Sequence, residues 1–203
     1  MSLSEGLRSH GVRSLWNVTH LDNLKSILQS GILCQSEIQR RGAVHADISN
    51  RQVQNRRPAE FHEHVPLFLA DNTPMLCVTA HDRSVILLAV SLEVADKDGV
   101  KFSNRNVATS EHTIYSCTAD LDALNWGIIL GRRGAWSREW KAVRSAEVLV
   151  PTECDSSFIE CVHVQQAESE GITLAERARQ IIRDAGAREV PVRDDLTAEG
   201  IRA

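Results

Sequence analysis

The segment from Asp120 to Lys141, here called the aromatic segment, has the residue types that bind single-stranded nucleic acid. Tryptophan rings stack on unpaired bases, and arginine and lysine side chains hold the phosphate backbone. The segment combines three of the four tryptophans with arginines and glycines, unlike a core strand: Trp126, Trp136, Trp140, Arg132, Arg133, Arg138, Gly127, Gly131 and Gly134. We expect nucleic-acid contacts from Trp136, Arg132, Arg133, Arg138 and Lys141. Trp126 is favoured instead as a packing residue of the core.

One carboxylate is unusual because of the strand that it interrupts. Glu147 lies in the otherwise apolar run Ala146-Glu147-Val148-Leu149-Val150, shortly after the aromatic segment. An unpaired buried charge is costly, so this side chain either faces water at a strand edge or is held in place for chemical work. Solvated glutamates are common on strands, and the periodicity alone favours the first alternative.

Residues 35–58 form a second basic segment. They are polar, have few apolar anchors and carry Arg40, Arg41, Arg51, Arg56 and Arg57. This composition predicts a long loop with one helical turn near Ile48. Long polar loops inside compact domains are more often functional than idle.

Other motifs do not predict a metal or a dinucleotide-binding turn. The sequence His62-Glu63-His64 precedes a strand, where alternate side chains face opposite sides, and no further ligand pair has suitable spacing. The sequence Gly131-Arg132-Arg133-Gly134 is too short for a P-loop, and no GxGxxG follows a strand. We therefore expect no metal site.

The elements that must position these residues are mainly short strands. The apolar patterns predict strands at residues 15–20, 65–69, 75–79, 85–90, 101–103, 146–150 and 158–164, and a last one around residues 190–192. Helices are predicted at residues 21–31, where Gly31 is the C-cap, and at residues 174–185. Short strands without long intervening helices imply mainly antiparallel pairing and an α+β fold.

Length and composition favour one domain over residues 1–203, with a flexible leader (1–12) and tail (196–203). No apolar run is long enough to span a bilayer, and the first residues lack the pattern of a secretory signal, so we expect a cytoplasmic monomer. The five cysteines include no CxxC pair and are expected to be reduced. A net charge of -4 means that phosphate binding must depend on local basic clusters.

Five blocks of sequence, in order, carry a resemblance to a known family. The blocks are Leu15-Trp16-Asn17-Val18-Thr19-His20-Leu21-Asp22-Asn23-Leu24, His64-Val65-Pro66-Leu67-Phe68, Thr73-Pro74-Met75-Leu76, Phe102-Ser103-Asn104-Arg105-Asn106 and Arg144-Ser145-Ala146-Glu147-Val148-Leu149-Val150. Together they resemble the DarT family, the toxins of DarTG toxin-antitoxin pairs, and the matches run over residues 15–164. The resemblance implies an ADP-ribosyltransferase-type split β-sandwich of two mainly antiparallel sheets with peripheral helices, and NAD in the cleft between the sheets.

The resemblance also implies roles for individual residues. Glu147 falls on the family's catalytic glutamate, and Arg51 on the essential arginine of the loop that covers NAD. The NAD-binding positions are Asn17, Val18, Thr19, Ser26, Cys34 and Arg51. Two residues depart from the family pattern: Asn17 stands where many relatives have histidine, and Gln52 follows Arg51 where the family often has a second arginine.

The function implied by the resemblance is transfer of ADP-ribose from NAD, used as substrate, to a base of single-stranded DNA. Such a protein would be a toxin restrained by an antitoxin with a macrodomain-type ADP-ribosyl hydrolase. Two alternatives remain open at this point. The chain is a transferase acting on RNA or protein, or it is a catalytically silent nucleic-acid or protein binding module of the same fold.

Overall fold

The computed structural model describes residues 1–43, 46, 48, 55–79, 81–82, 84–131, 136–169, 171–187 and 189–196. The helices are α1 (Leu3–Ser9), α2 (Leu24–Ser30), α3 (Gln35–Arg41), α4 (Pro74–Thr79), α5 (Trp126–Ile129), α6 (Arg138–Arg144) and α7 (Leu174–Asp184). The strands are β1 (Leu15–His20), β2 (Ile32–Leu33), β3 (His64–Phe68), β4 (Val85–Val90), β5 (Lys101–Ser103), β6 (Ile114–Tyr115), β7 (Glu147–Pro151), β8 (Glu153–Cys154), β9 (Ile159–Gln165), β10 (Glu168–Ser169), β11 (Ile172–Thr173) and β12 (Val192–Leu196).

The main sheet has eight strands in the order β12-β9-β4-β1-β3-β7-β5-β6. Strands β9 and β12 are parallel, whereas the other neighbours in this sheet are antiparallel. This confirms the predicted α+β fold with mainly antiparallel pairing. Strand β1 pairs with β4 along its whole length, but it meets β3 at a single registered pair, Trp16 with Phe68. The centre of the sheet is therefore its most weakly paired point.

The larger hydrophobic core lies on one face of the sheet. Every residue of β4 is buried, as expected for a central strand with a continuous apolar run. Helix α7 begins with a capping box between Thr173 and Glu176 and buries Ala175, Ala178 and Ile182, which lie on one helical face. Helices α7 and α2 contact each other on this side, so they fix the outer wall behind β1.

Three segments differ from the sequence-based expectations. The predicted flexible leader contains helix α1, which has a capping box between Ser2 and Glu5 and buries Leu7. Residues 75–79, predicted as a strand, form α4, because Pro74 is suited to a first helical position and the Thr73 hydroxyl accepts a hydrogen bond from Leu76 N.

The third segment is the start of the predicted basic loop, which forms α3. Its Glu37 carboxylate pairs with Arg40 and Arg41 one turn later, an arrangement that stabilises a short helix. These two guanidinium groups lower the pKa of the partly buried Glu37 to about 2. Most of the rest of that loop, residues 49–54, lies outside the described residues, as does the end of the predicted tail, residues 197–203.

Candidate active site

Glu147 is the first residue of β7, and its side chain is buried, with 2% of its surface exposed. Alternation along the strand places it on the side of Leu149, which packs with Phe61 and Val107, away from the larger core. The Ser103 hydroxyl accepts a hydrogen bond from Glu147 N (3.1 Å) and lies 3.4 Å from Glu147 O, which holds the backbone from the neighbouring strand. The structure therefore excludes the solvent-exposed alternative.

The Glu147 carboxylate has one cationic partner among the described residues, Arg57, whose Nη1 lies 3.3 Å from Oε2. Burial raises the pKa of Glu147, whereas the charge of Arg57 and the weaker influence of His112 lower it. Glu147 Oε2 and Arg57 Nη2 are both buried without a hydrogen-bond partner in the described part of the chain. Buried polar atoms are normally satisfied, so this pair has unused capacity to bind a ligand.

Arg57 is a residue that sequence reasoning missed. Its Nε donates to Phe61 O at 3.3 Å, and its own carbonyl contacts the His62 ring, so the 3-10 turn of Ala59–Glu63 fixes its position. Arg51, expected to be the essential arginine of the loop that covers NAD, lies outside the described residues. One signal was present in the sequence: the two adjacent arginines of the family pattern, absent at Arg51 and Gln52, occur at Arg56 and Arg57.

A small cavity of about 360 Å³ lies against β1 and α2. It brings together the predicted residues Asn17, Val18, Thr19 and Ser26, which are joined in its wall by Arg41. Cys34 does not line it: this buried side chain accepts a hydrogen bond from Glu37 N and caps α3 instead. The volume falls in the ordinary range for ligand pockets.

Asn23 is a second residue that sequence reasoning missed in the small cavity. Its buried amide donates to Thr19 Oγ1 (3.1 Å) and to Ala46 O (2.9 Å), and its Oδ1 accepts from Ala46 N (2.7 Å). One side chain therefore attaches the segment at Ala46 to β1. Its place in the sequence, within an ordinary helix start, carried no sign of this contact.

A large cavity of about 880 Å³ adjoins the small one, and Ile48 and Met75 line both. Arg56, Arg138 and Lys141 supply positive charge to its wall. Glu147 lines neither cavity but lies directly behind the large one. Two residues of that wall contact Glu147. Phe68 on β3 is its registered partner, and the backbone of Val107 contacts the carboxylate.

The aromatic segment flanks the large cavity. Trp136 is 43% exposed, lies 5.6 Å from the Trp140 ring and carries the Lys141 ammonium 5.1 Å from its ring centre. Trp126 instead stacks on His10 and donates to Leu121 O, a packing role. Of the predicted nucleic-acid contacts, Trp136, Arg138 and Lys141 lie near one another, whereas Arg132 and Arg133 are outside the described residues.

The described residues contain no group of three or more His, Cys, Asp or Glu side chains able to hold a metal ion. Their helices include none that is both long and apolar enough to cross a bilayer.

Known proteins resemble this chain in sequence and in fold. A DNA ADP-ribosyl transferase-DNA ADP-ribosyl glycohydrolase fusion protein of Thermosipho africanus is 25% identical over 198 residues, which are 91% of this chain and 49% of that protein. This chain thus spans about half the length of that relative. The structure of Thermus sp. 2.9 DarT in complex with ADP-ribosylated ssDNA superposes with a TM-score of 0.76, at 22% identity, covering 93% of this chain and 96% of that one. The same Thermus protein in complex with NAD+ gives a TM-score of 0.71, at 23% identity, covering 91% of this chain and 97% of that one.

Residues 16–195 match a class of enzymes described as ssDNA thymidine ADP-ribosyltransferases. Within that class, the chain belongs to the DarT family.

Proposed function

We propose that this protein transfers ADP-ribose from NAD+ to a thymidine base of single-stranded DNA, with Glu147 as the catalytic carboxylate. The observation that carries the proposal is the buried Glu147 side chain, paired with Arg57 beside two adjoining cavities. The family match and the relatives solved with NAD+ and with ADP-ribosylated ssDNA support the choice of substrates.

NAD+ would occupy the small cavity and the cleft between β1 and β3. These strands share one registered pair, and we propose that the sheet is divided there into the two sheets of a split sandwich. Asn17, Val18, Thr19 and Ser26 would contact NAD+ directly, while Cys34 would act by holding α3, which supplies Arg41 to the wall. An asparagine amide donates and accepts hydrogen bonds, so Asn17 can bind a ribose hydroxyl where relatives use histidine.

The reaction breaks the bond between nicotinamide and the ribose, and nicotinamide leaves with the electron pair. The sugar becomes cationic, a nitrogen of the base attacks it to form the new N–C bond, and the proton of that nitrogen is released to water. The Glu147 carboxylate would accept a hydrogen bond from the ribose and stabilise the cation more than the ground state, which lowers the barrier. Burial raises the pKa of this carboxylate and Arg57 lowers it, so Arg57 favours the ionised form, and it would turn aside for the sugar to reach Glu147.

DNA would enter the large cavity past the aromatic segment. A base in a duplex hides its edges, whereas an unstacked base can insert into a pocket, which favours a single strand. Trp136 is exposed enough to stack on a flanking base, and Arg138 and Lys141 are placed for phosphate contacts. Arg132 and Arg133 would extend this phosphate track.

Replacing Trp136 by alanine is expected to raise the KM for single-stranded DNA by about tenfold or more, because one stacked base is lost. The affinity for NAD+ should not change, since this ring does not line the small cavity. Steady-state kinetics at varied DNA and fixed NAD+ measure the effect. Lys97→Gln is the surface control, because the Lys97 ammonium lies over Phe158, outside both cavities. Equal KM values for the two variants would contradict the stacking role of Trp136.

Replacing Asn23 by alanine is expected to weaken NAD+ binding about tenfold, because the buried hydrogen bonds to Ala46 are lost. Calorimetric titration with NAD+ measures the dissociation constant. Asn104→Ala is the matched control, because Asn104 also fixes a loop, through Thr113 N, but outside the small cavity. An unchanged dissociation constant in Asn23→Ala would show that the attachment of Ala46 is irrelevant to the NAD+ site.

The biological role that we propose is that of a toxin. The Thermosipho relative combines a DNA ADP-ribosyl transferase with a DNA ADP-ribosyl glycohydrolase in one chain. A separate hydrolase of that activity would be the antitoxin of this protein, because it removes the modification that the transferase makes. Both substrates are intracellular, and a cytoplasmic location is part of the proposal.

Labelled NAD+ tests the proposed function directly. The protein is incubated with separate pools of single-stranded DNA, RNA and protein, and the label in each pool is counted. Label in DNA alone, at thymidine, supports the proposal, whereas label in RNA or protein favours the other transferase alternatives. A protein that retains DNA but transfers no label would be the silent binding module.

A further inference from the structure

Arg144, the last residue of α6, carries a guanidinium group that forms no ion pair within the described part of the chain. The residue is 2% exposed, and the ion pairs between described residues include none that involves it. Buried arginines are rare unless they are paired. Arg144 instead donates to backbone carbonyls: its Nε to Asn72 O (2.9 Å), and its Nη1 to Ile128 O (3.1 Å), Gly131 O (2.6 Å) and Ile129 O.

These carbonyls belong to two segments, of which the first leads directly into an element that lines the large cavity. Asn72 lies at the turn into α4, which contributes Met75 and Val78 to the cavity wall. The second set, from α5 to Gly131, belongs to the aromatic segment and leads toward Trp136. Arg144 also lies under Trp140, with its central carbon 5.9 Å from the ring centre.

We infer that Arg144 is a positioning residue that sets the spacing between α4 and the aromatic segment, and thereby controls the binding of DNA separately from that of NAD+. The inference rests on the proposed function for its substrate. None of the carbonyls that Arg144 binds belongs to a residue of the small cavity. Helix α4 contributes Met75 to both cavities but Pro74, Val78 and Thr79 only to the large one, so Arg144 acts mainly on the DNA site.

The chemistry of arginine explains why this position needs it. A guanidinium group presents five N–H donors in a fixed plane, so one side chain can reach carbonyls in two directions. A lysine ammonium keeps the charge, but its donors radiate from one nitrogen and cannot span both segments. Arg144→Lys therefore separates loss of geometry from loss of charge.

We expect Arg144→Lys to raise the KM for single-stranded DNA about tenfold, because a small displacement of a substrate wall has large kinetic effects. The dissociation constant for NAD+ should stay within about twofold, since α4 contributes only Met75 to the small cavity. Amide hydrogen exchange should accelerate in residues 72–79 and in residues 126–131 together. Arg183→Lys, at an exposed arginine of α7, is the control for the substitution itself.

A second variant guards against a simple loss of stability. Arg144→Ala leaves a space of guanidinium shape, so millimolar guanidinium should lower its KM for DNA, while ammonium at the same ionic strength should not. The inference is supported if guanidinium restores the KM of Arg144→Ala and if Arg144→Lys raises the KM for DNA without changing the dissociation constant for NAD+. A wild-type KM for DNA in Arg144→Lys, or an equal loss of NAD+ affinity, would overturn it. Failure of the wild-type protein to modify DNA while it binds NAD+ would instead overturn the proposed function.

Discussion

Glu147→Gln is expected to lower the rate of ADP-ribose transfer by about a thousandfold, because the negative charge opposite the developing sugar cation is removed. Glutamine has nearly the same shape and retains one hydrogen-bond acceptor, so the backbone contacts with Ser103 should persist. Turnover of labelled NAD+ with saturating single-stranded DNA measures the loss. Thermal unfolding checks that the variant is still folded, and titration with NAD+ checks that it still binds this substrate.

Glu160→Gln is the matched control for this carboxylate. Glu160 is an exposed glutamate on β9, with a hydrogen bond from Ser14 and no contact with either cavity. We expect wild-type turnover from it. If Glu147→Gln turns over NAD+ at a rate close to that of the wild type, Glu147 is not the catalytic carboxylate, even though the fold is that of the family.

Replacing Arg57 by methionine is expected to reduce turnover by about a hundredfold at neutral pH, because the buried carboxylate loses the cation that stabilises its charge. Arg57→Lys should recover part of the activity, since a positive charge returns without the planar geometry. Arg8→Met, at an exposed arginine paired with Glu93, is the control and should remain fully active.

The dependence of the rate on pH provides a second test of the Arg57 prediction, through the direction in which the profile moves. Burial raises the pKa of Glu147 and Arg57 lowers it, so removing Arg57 must move this pKa further upward. Catalysis needs the ionised carboxylate, and activity is therefore lost as the pH falls through the pKa. The acid limb of the rate profile should move to higher pH in Arg57→Met, and activity should rise again at alkaline pH. An unmoved acid limb would show that Arg57 does not control the ionisation of Glu147.

Arg51→Met distinguishes the two candidate arginines. We propose that Arg51 belongs to the loop that covers NAD+, in which case its loss raises the KM for NAD+ and leaves the acid limb in place. Arg57 would then be the residue that acts with Glu147. An inactive Arg51→Met beside a fully active Arg57→Met would reverse these roles.

Much of the sheet could be predicted from local pattern. Strands β1, β4, β7 and β9 were found because their apolar runs or alternating residues satisfy the geometry of a half-buried or central strand. Helix α7 was also predicted, over residues 174–185, while its capping box became visible only in the structure. Segments with weaker patterns were misjudged: α3 is held by charge pairs, and α4 combines β-favouring residues with a proline start and a threonine cap.

The sequence by itself determined that a carboxylate interrupts an apolar strand at Glu147 and that Asn17, Val18, Thr19 and Ser26 lie on neighbouring elements. Both facts depend on residues close together in the chain. Only the tertiary structure decided that Glu147 is buried, that Arg57 pairs with it, and that Asn23 and Arg144 hold distant segments in place. These contacts join residues far apart in sequence, and chain folding, not local periodicity, brings such residues together.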